Sequence, residues 1–163
     1  MYMQTETDPI PGTLVEREAD ASDIQKLIQI RMEFLRVDFV MTEDDERSLI
    51  QELSEYYPAC LGKDLFAFCA FDGDTMVSSV FLVISKRPPN PILPNGLSGY
   101  ISNVYTNPQY RGLGLATSLL QSAKAKAQEC NVSSMDLIAT DKGRPLYEKM
   151  GFAKNDRYMR LLL

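Results

Sequence analysis

The stretch NVYTNPQYRGLGLATSLL, residues 103 to 120, combines three kinds of local structure in a short distance. It begins with residues typical of a strand, turns at Asn107-Pro108, and continues as a basic loop with two glycines. Leucines and alanines at helical spacing follow this loop directly. The stretch therefore predicts a strand, a turn and a helix whose N-terminus is exposed beside Arg111, Gly112 and Gly114.

Such a helix N-terminus favours an anion, because it carries unpaired backbone N–H groups and roughly half a positive charge. Gly112 and Gly114 have no side chain that would keep a bulky anion from the backbone, and Arg111 adds a cation. Together they suit a pyrophosphate. Glycines before a helix also serve turn geometry alone, and a single G-x-G does not separate the two explanations. The stretch is not the dinucleotide-binding G-x-G-x-x-G motif, because position 117 is Thr. It is also not a P-loop, because no Gly-Lys-Ser/Thr follows.

The elements on both sides of this stretch predict an α/β (α+β) fold. Strands are expected over residues 13–19, 65–71, 75–84, 97–106, 132–139 and 158–163, and helices over residues 22–39, 42–58, 113–130 and 145–150. Asp72-Gly73-Asp74 is a strong hairpin signal, whereas the strands that flank the third helix require a right-handed crossover and become parallel neighbours. We expect a mixed, mostly antiparallel central sheet of six to seven strands with helices on both faces.

Capping signals set the expected ends of the first two helices. Ser22 with Gln25 predicts a capping box at the start of the first helix. Thr42, with Glu43, Asp44 and Asp45 directly after it, predicts the start of the second helix, and Pro58 predicts its end.

Composition restricts the class of protein. The chain has 163 residues, enough for a single domain, expected over residues 13–163 after a flexible tail at residues 1–12. The longest apolar run, LFAFCAF, is too short to cross a bilayer, and the first residues lack the features of a cleaved signal. Three cysteines without metal-ligand spacing favour reduced thiols and a cytoplasmic location.

Charge and residue types exclude several functions. The net charge of −5 disfavours general nucleic-acid binding, which requires a basic face, and mildly favours a cationic small molecule or peptide. The sequence contains no histidine, so a histidine base, a histidine metal ligand and a Ser-His-Asp triad are all excluded.

Two motifs resemble the GNAT superfamily of N-acetyltransferases. VYTNPQYRGLGLATSLL is similar to its acetyl-CoA-binding segment, in which Gln/Arg-x-x-Gly-x-Gly/Ala is met by Gln109, Gly112 and Gly114. Downstream, PLYEKMGF at residues 145–152 is similar to the second hallmark, Leu-Tyr-x-x-x-Gly-Phe. The resemblance extends over about residues 13–163, and it implies a splayed parallel strand pair at the centre of the sheet.

The resemblance implies acetyl-CoA as co-substrate, no metal, and a set of site residues. The pantetheine arm would pair with the splayed strand, the pyrophosphate with the loop, and the thioester sulfur would lie beside Tyr147. The implied cofactor-binding residues are Val104, Tyr105, Thr106, Arg111, Gly112, Leu113, Gly114, Leu115, Ala116, Thr117 and Thr140. Thr140 stands where the family often has Asn, and a threonine can still donate one hydrogen bond.

The implied reaction is direct acetyl transfer from acetyl-CoA to a primary amine in a ternary complex. Tyr147 would donate a proton to the departing thiolate, since a phenol with a pKa of about 10 stays protonated at neutral pH. The strand YISNVYT carries no acid, so Asn103 or Ser102 could position a water at most. The alternative is a catalytically silent CoA-binding or protein-interaction module on the same fold. A third, weaker hypothesis keeps the enzyme but changes the donor to a longer acyl-CoA.

The acceptor cannot be identified from the sequence. Arg31, Glu33 and Tyr57 on the first two helices are candidates for the acceptor site, with surface charge and core packing as equally good explanations. A small amine or a peptide is the expected class of acceptor, and a homodimer is expected only by analogy.

Overall fold

The computed structural model describes residues 12–163, so the tail predicted for residues 1–12 lies outside it except for Gly12. The elements are β1 (Leu14–Glu18), α1 (Ile24–Asp38), α2 (Glu43–Cys60), β2 (Leu65–Asp72), β3 (Thr75–Lys86), β4 (Leu97–Thr106), α3 (Leu115–Glu129), β5 (Ser134–Leu137) and α4 (Arg144–Lys149). Two single-turn 3-10 helices, Ala21–Asp23 and Pro108–Tyr110, precede α1 and α3. None of the described helices is long and apolar enough to cross a membrane.

The strands of residues 12–163 form one sheet in the order β1-β2-β3-β4-β5. The pairs β1–β2, β2–β3 and β3–β4 are antiparallel, whereas the pair β4–β5 is parallel. The mixed α/β arrangement is confirmed, but the predicted six to seven strands are wrong, because five are present in the described part of the chain. The parallel pair lies at one edge of this sheet and not at its centre.

The strand predicted over residues 158–163 accounts for the difference. This segment has no regular structure, and its Leu161 and Leu162 side chains are 82% and 84% exposed. An apolar residue pattern alone does not make a strand, which also needs backbone hydrogen bonds to a neighbour. Within the described residues, no strand pairs with this segment.

Hydrophobic side chains fill both faces of the sheet. On one face α1 and α2 pack against the strands through Leu27, Ile30, Tyr57, Ala67 and Phe81, among others. On the other face α3 packs through Leu119, Leu120 and Ala123 against Phe66, Val80 and Leu82. Successive residues of β2 alternate between the two cores, which explains why LFAFCAF is apolar throughout.

The helix ends differ in detail from the sequence prediction. The chain enters α1 through a capping box formed by Asp20 and Asp23, not by Ser22 and Gln25. Thr42 caps α2 as predicted, and its hydroxyl accepts a hydrogen bond from the Asp45 N–H. Pro58 does not end α2, which continues to Cys60, because a proline in the last turn removes only one backbone donor.

Two turns fix the parts of the chain on which the site depends. The Asp72-Gly73-Asp74 hairpin joins β2 and β3 as predicted, with Gly73 at φ 57°. α3 begins at Leu115, two residues later than predicted, because Gly114 adopts the left-handed conformation at φ 78°. The loop before α3 is therefore longer than expected.

Candidate functional site

β4 and β5 separate after only four paired residues. Ser98 to Ile101 pair with Ser134 to Leu137, and β5 then ends. β4 continues to Thr106, and within residues 102–106 Ser102, Tyr105 and Thr106 pair with β3 on one side, whereas no described strand pairs with the segment on the other. An open strand edge can accept the hydrogen-bonding groups of an extended ligand. The proposed arm-binding residues Val104, Tyr105 and Thr106 all lie in this open segment.

A β-bulge marks the beginning of the open segment. Ser79 pairs with Tyr105 but Phe81 pairs with Ser102, so β4 carries one extra residue at this point. Asn103, in the bulge, has φ 50°. Asparagine tolerates this left-handed conformation better than most residues do. The bulge thus re-aims the main chain around Val104.

Side chains on both neighbouring elements hold Asn103. Its amide donates to the Ser79 hydroxyl at 2.9 Å, and that hydroxyl donates back to the Asn103 carbonyl at 3.2 Å. Its Oδ1 accepts from Nη1 of Arg31 on α1 at 3.2 Å. Because Asn103 is only 1% exposed and both ends of its side-chain amide already have a partner, it is better placed to fix the bulge than to hold a water.

The loop before α3 presents a series of unpaired backbone donors. Gly112 and Gly114 have φ 80° and 78°, which turn the chain twice before the helix begins. Among the described residues, no acceptor pairs with the backbone N–H groups of residues 112–117, and the first paired amide of the helix is that of Ser118. A Cβ built on either glycine would meet no atom within 4 Å, so the space in front of the loop is open.

An open pocket of about 280 Å³ lies at this loop. It is lined by Thr106, Tyr110, Arg111, Gly112, Gly114, Leu115, Ala116 and Thr117. The exposed Arg111 donates from Nε to the Thr106 carbonyl at 3.2 Å, which holds its positive charge between β4 and the loop. Of the predicted loop residues, only Leu113 points away, as its side chain is 51% exposed and absent from the pocket wall.

Tyr147 lies on α4, half-buried beside the second core. Its ring packs edge to face on Phe152, with centroids 6.1 Å apart and planes at 74°. Burial raises the pKa of the Tyr147 phenol above its usual value, so the hydroxyl remains protonated well beyond neutral pH. A Cβ on Gly143 would come within 3.0 Å of the ring, so this glycine makes room for it.

Thr140 forms the turn that leads into α4. Its Oγ1 accepts from the Gly143 N–H at 3.1 Å, and its carbonyl accepts from the N–H groups of Gly143 and Arg144. The side chain is exposed, and its hydroxyl hydrogen is still available for donation.

The three predicted acceptor-site residues fall into two groups. Arg31 and Glu33 are half-buried on the side of α1 that faces β4, where the charge of Glu33 adds to burial in raising the pKa of Tyr105. Tyr57 is 1% exposed in the core between α2 and the sheet. Its hydroxyl has no hydrogen-bond partner among the described residues, and burial raises its pKa far above the usual value. Tyr57 therefore belongs to the packing and not to an accessible surface.

Comparison with known proteins agrees with this geometry. The sequence matches the model of the acetyltransferase (GNAT) family over residues 24–152. The chain belongs to the GNAT family. The resemblance of the two motifs is thereby confirmed, and membership implies an acyltransferase.

Solved structures extend the likeness to nearly the whole chain. A predicted acetyltransferase from Clostridium acetobutylicum, crystallised with acetyl-CoA, is 31% identical, with a TM-score of 0.84 over 91% of this chain and 96% of that one. A GCN5-related N-acetyltransferase from Ralstonia eutropha is 22% identical, with a TM-score of 0.79 over 91% and 98%. The second likeness shows the fold alone.

One curated relative has a named acceptor. The glucosamine 6-phosphate N-acetyltransferase of Trypanosoma brucei brucei is 35% identical over 63 residues, which are 39% of this chain and 43% of that protein. The match thus spans less than half of the relative's length.

Proposed function

We propose that this GNAT protein is an acetyl-CoA-dependent N-acetyltransferase that transfers an acetyl group to a primary amine by direct attack in a ternary complex. The series of unpaired N–H groups at residues 112–117, open to a pocket at the end of β4, carries the proposal. A diphosphate is the group that satisfies several converging backbone donors beside an arginine. Arg111 supplies that arginine.

The open segment of β4 would hold the pantetheine arm. Val104 to Thr106 lie beyond the point where β5 ends, and those of their main-chain groups that β3 does not engage would pair with the arm's amides as an added strand does. Thr140 would add one donor from the opposite side of the gap. The relative crystallised with acetyl-CoA supports this choice of co-substrate.

The bulge at Asn103 supplies the polarising group. Because the bulge sets Asn103 and Val104 of β4 opposite the single residue Val80 of β3, the ladder is interrupted here, and a backbone N–H near Val104 would donate to the thioester oxygen. Such a preorganised donor typically contributes about 3 kcal/mol to the stabilisation of an oxyanion.

Transfer then requires one bond to form and one to break. The neutral amine nitrogen attacks the thioester carbon, the carbon–sulfur bond breaks, and the electron pair leaves with sulfur. Tyr147 donates a hydrogen bond to that thiolate and provides its proton, which the phenol regains from solvent. Its raised pKa keeps the donor form populated.

The proton that the amine loses needs a base. Glu33 is the carboxylate that faces β4 from α1, and its charge acts on the Tyr105 hydroxyl. We propose that Glu33 accepts this proton through water, since the bulge residue Asn103 is committed to Arg31 and Ser79.

Calorimetric titration with acetyl-CoA tests the proposal first, with a micromolar dissociation constant expected. A thiol-release assay over a panel of primary amines follows, with glucosamine 6-phosphate included because of the curated relative. Absence of acetyl-CoA binding would remove the whole proposal.

A silent CoA-binding module is the second candidate. The absence of an acid on β4 favours it. Acetyl-CoA binding without transfer to any amine, and without acetyl-CoA hydrolysis, would select this candidate over the enzyme.

A further inference from the structure

Arg31 differs from the other arginines of the described chain. It is half-buried in the middle of α1, yet no carboxylate among residues 12–163 lies within 4.0 Å of its guanidinium. Its hydrogen bond to Asn103 uses one of five donors. The guanidinium carbon also lies 5.4 Å above the Phe34 ring, which fixes its position.

Two other arginines, one on α1 and one on β1, each have a carboxylate partner that accepts two hydrogen bonds from the guanidinium. Arg36, five residues further along α1, donates from Nε and Nη2 to the two oxygens of Glu46, each at 2.7 Å. Arg17 donates to both oxygens of Asp23 at 2.7 and 2.9 Å. Arg31, which is less exposed than either, has no such partner among the described residues. A partly buried cation without an anion is costly, unless a ligand supplies the anion.

The place of this cation relates it to the reacting atoms. Asn103, which Arg31 contacts, immediately precedes Val104 at the proposed oxyanion donor. The charge of Arg31 also reaches the Tyr56 hydroxyl on α2, where it opposes the rise in pKa that burial causes. The guanidinium of Arg31 thus lies where α1, α2 and the bulge meet, on the face of the sheet opposite α3.

We propose that Arg31 binds an anionic oxygen group, a carboxylate or a phosphate, on the amine acceptor. This inference rests on the function proposed above. The planar guanidinium matches both groups in a bidentate manner, as Arg36 does with Glu46. Because Arg31 contacts the residue next to Val104, one small molecule would carry both the anion and the reacting amine.

Glu33 complements this arrangement. It lies two residues further on α1 and faces Tyr105, so a positive and a negative group flank the same part of β4. An acceptor with an anion at one end and an ammonium at the other fits both charges. The overall negative charge of the chain therefore does not decide the class of acceptor.

The test uses amines in matched pairs that differ in the anionic group alone. Glucosamine 6-phosphate with glucosamine forms the phosphate arm, and α-amino acids with their amides form the carboxylate arm. Thiol release gives kcat/KM for each member with the wild-type chain, Arg31→Met, Arg31→Lys and the control Arg36→Met. Calorimetry gives the acetyl-CoA dissociation constant of each variant.

In one of the two arms we expect the wild-type chain to prefer the anionic member by about 30-fold in kcat/KM. Arg31→Met should reduce that preference to threefold or less, mainly by raising KM, and Arg31→Lys should retain part of it. Arg36→Met should keep the full preference, and the acetyl-CoA dissociation constant should change less than twofold in all variants.

Other results overturn the inference. Equal use of both members by the wild-type chain, a preference that survives in Arg31→Met, or no turnover of any anionic amine would each do so. A fall in acetyl-CoA affinity in Arg31→Met would show that Arg31 only holds the bulge. The proposed function fails separately, because its failure appears as no acetyl-CoA binding by the wild-type chain.

Discussion

Replacement of Gly114 by alanine tests the loop with two separable effects. Gly114 has φ 78° and ψ 7°, a conformation that costs a non-glycine residue about 1–2 kcal/mol. Its Cβ would touch no atom within 4 Å, so packing adds nothing to this cost. Part of the cost is offset because alanine restricts the unfolded chain. We therefore expect the free energy of unfolding to fall by about 1 kcal/mol.

The effect on binding should be larger. The new methyl group projects into the open space in front of the unpaired N–H groups, where the diphosphate would lie. Loss of one charge-assisted hydrogen bond costs about 1.5–3 kcal/mol, so acetyl-CoA affinity should fall at least tenfold. Calorimetry measures the affinity and thermal unfolding measures the stability.

Gly62→Ala is the matched control. Gly62 has φ 75°, and its Cβ would also meet no atom within 4 Å, but it lies between α2 and β2 at the other end of the sheet. The Gly62→Ala variant should lose as much stability as Gly114→Ala does, but it should bind acetyl-CoA with the affinity of the wild-type chain. Equal affinities for the two variants would refute the assignment of the loop to the diphosphate.

Three further predictions concern single side chains. Tyr147→Phe should lower kcat by about 100-fold with little change in acetyl-CoA affinity, and an unchanged kcat would remove Tyr147 from the reaction. Tyr57→Phe should leave stability unchanged or raise it by about 1 kcal/mol in denaturant unfolding, because it deletes a buried hydroxyl that has no partner among the described residues; a clear loss of stability would contradict this. Asp23→Asn should lower stability by about 2 kcal/mol at pH 7. The hydrogen bond from Arg17 lowers the pKa of Asp23, so its contribution is complete above the unfolded pKa of about 3.9 and is lost as the pH falls through the folded pKa. The stability gap between Asp23→Asn and the wild-type chain should therefore narrow as the pH falls below the unfolded pKa of about 3.9, and a gap independent of pH would contradict the ion pair.

The loop before α3 could be predicted because its determinants are local. Gly112, Gly114 and Arg111 act within a few residues of sequence, and the structure adds only that the helix begins at Leu115. The β2–β3 hairpin is similar, since Asp72-Gly73-Asp74 itself forms the turn, with Gly73 in the left-handed region. Local backbone preferences are sufficient in both cases.

Asn103 could not be interpreted from the sequence in the same way. Its positive φ depends on the bulge against β3, and its partners Ser79 and Arg31 lie 24 and 72 residues away. No periodic pattern contains this information. Ser79 was missed as a contributor for that reason, because a serine within an apolar strand gives no local signal.

The segment at residues 158–163 and Tyr57 show two further limits of sequence patterns. The segment has a strand-like composition, but composition does not supply a neighbouring strand. Tyr57 fits the helical spacing of a core residue, and its burial follows the core-packing explanation that the sequence left open beside the acceptor site.

Amide hydrogen exchange at residues 112–117 tests most directly whether this loop holds the diphosphate of acetyl-CoA. These N–H groups should exchange rapidly in the free protein, since no described residue pairs with them, and should become protected when acetyl-CoA is saturating. Protection already present in the free protein, or rapid exchange that persists at saturation, would contradict the account.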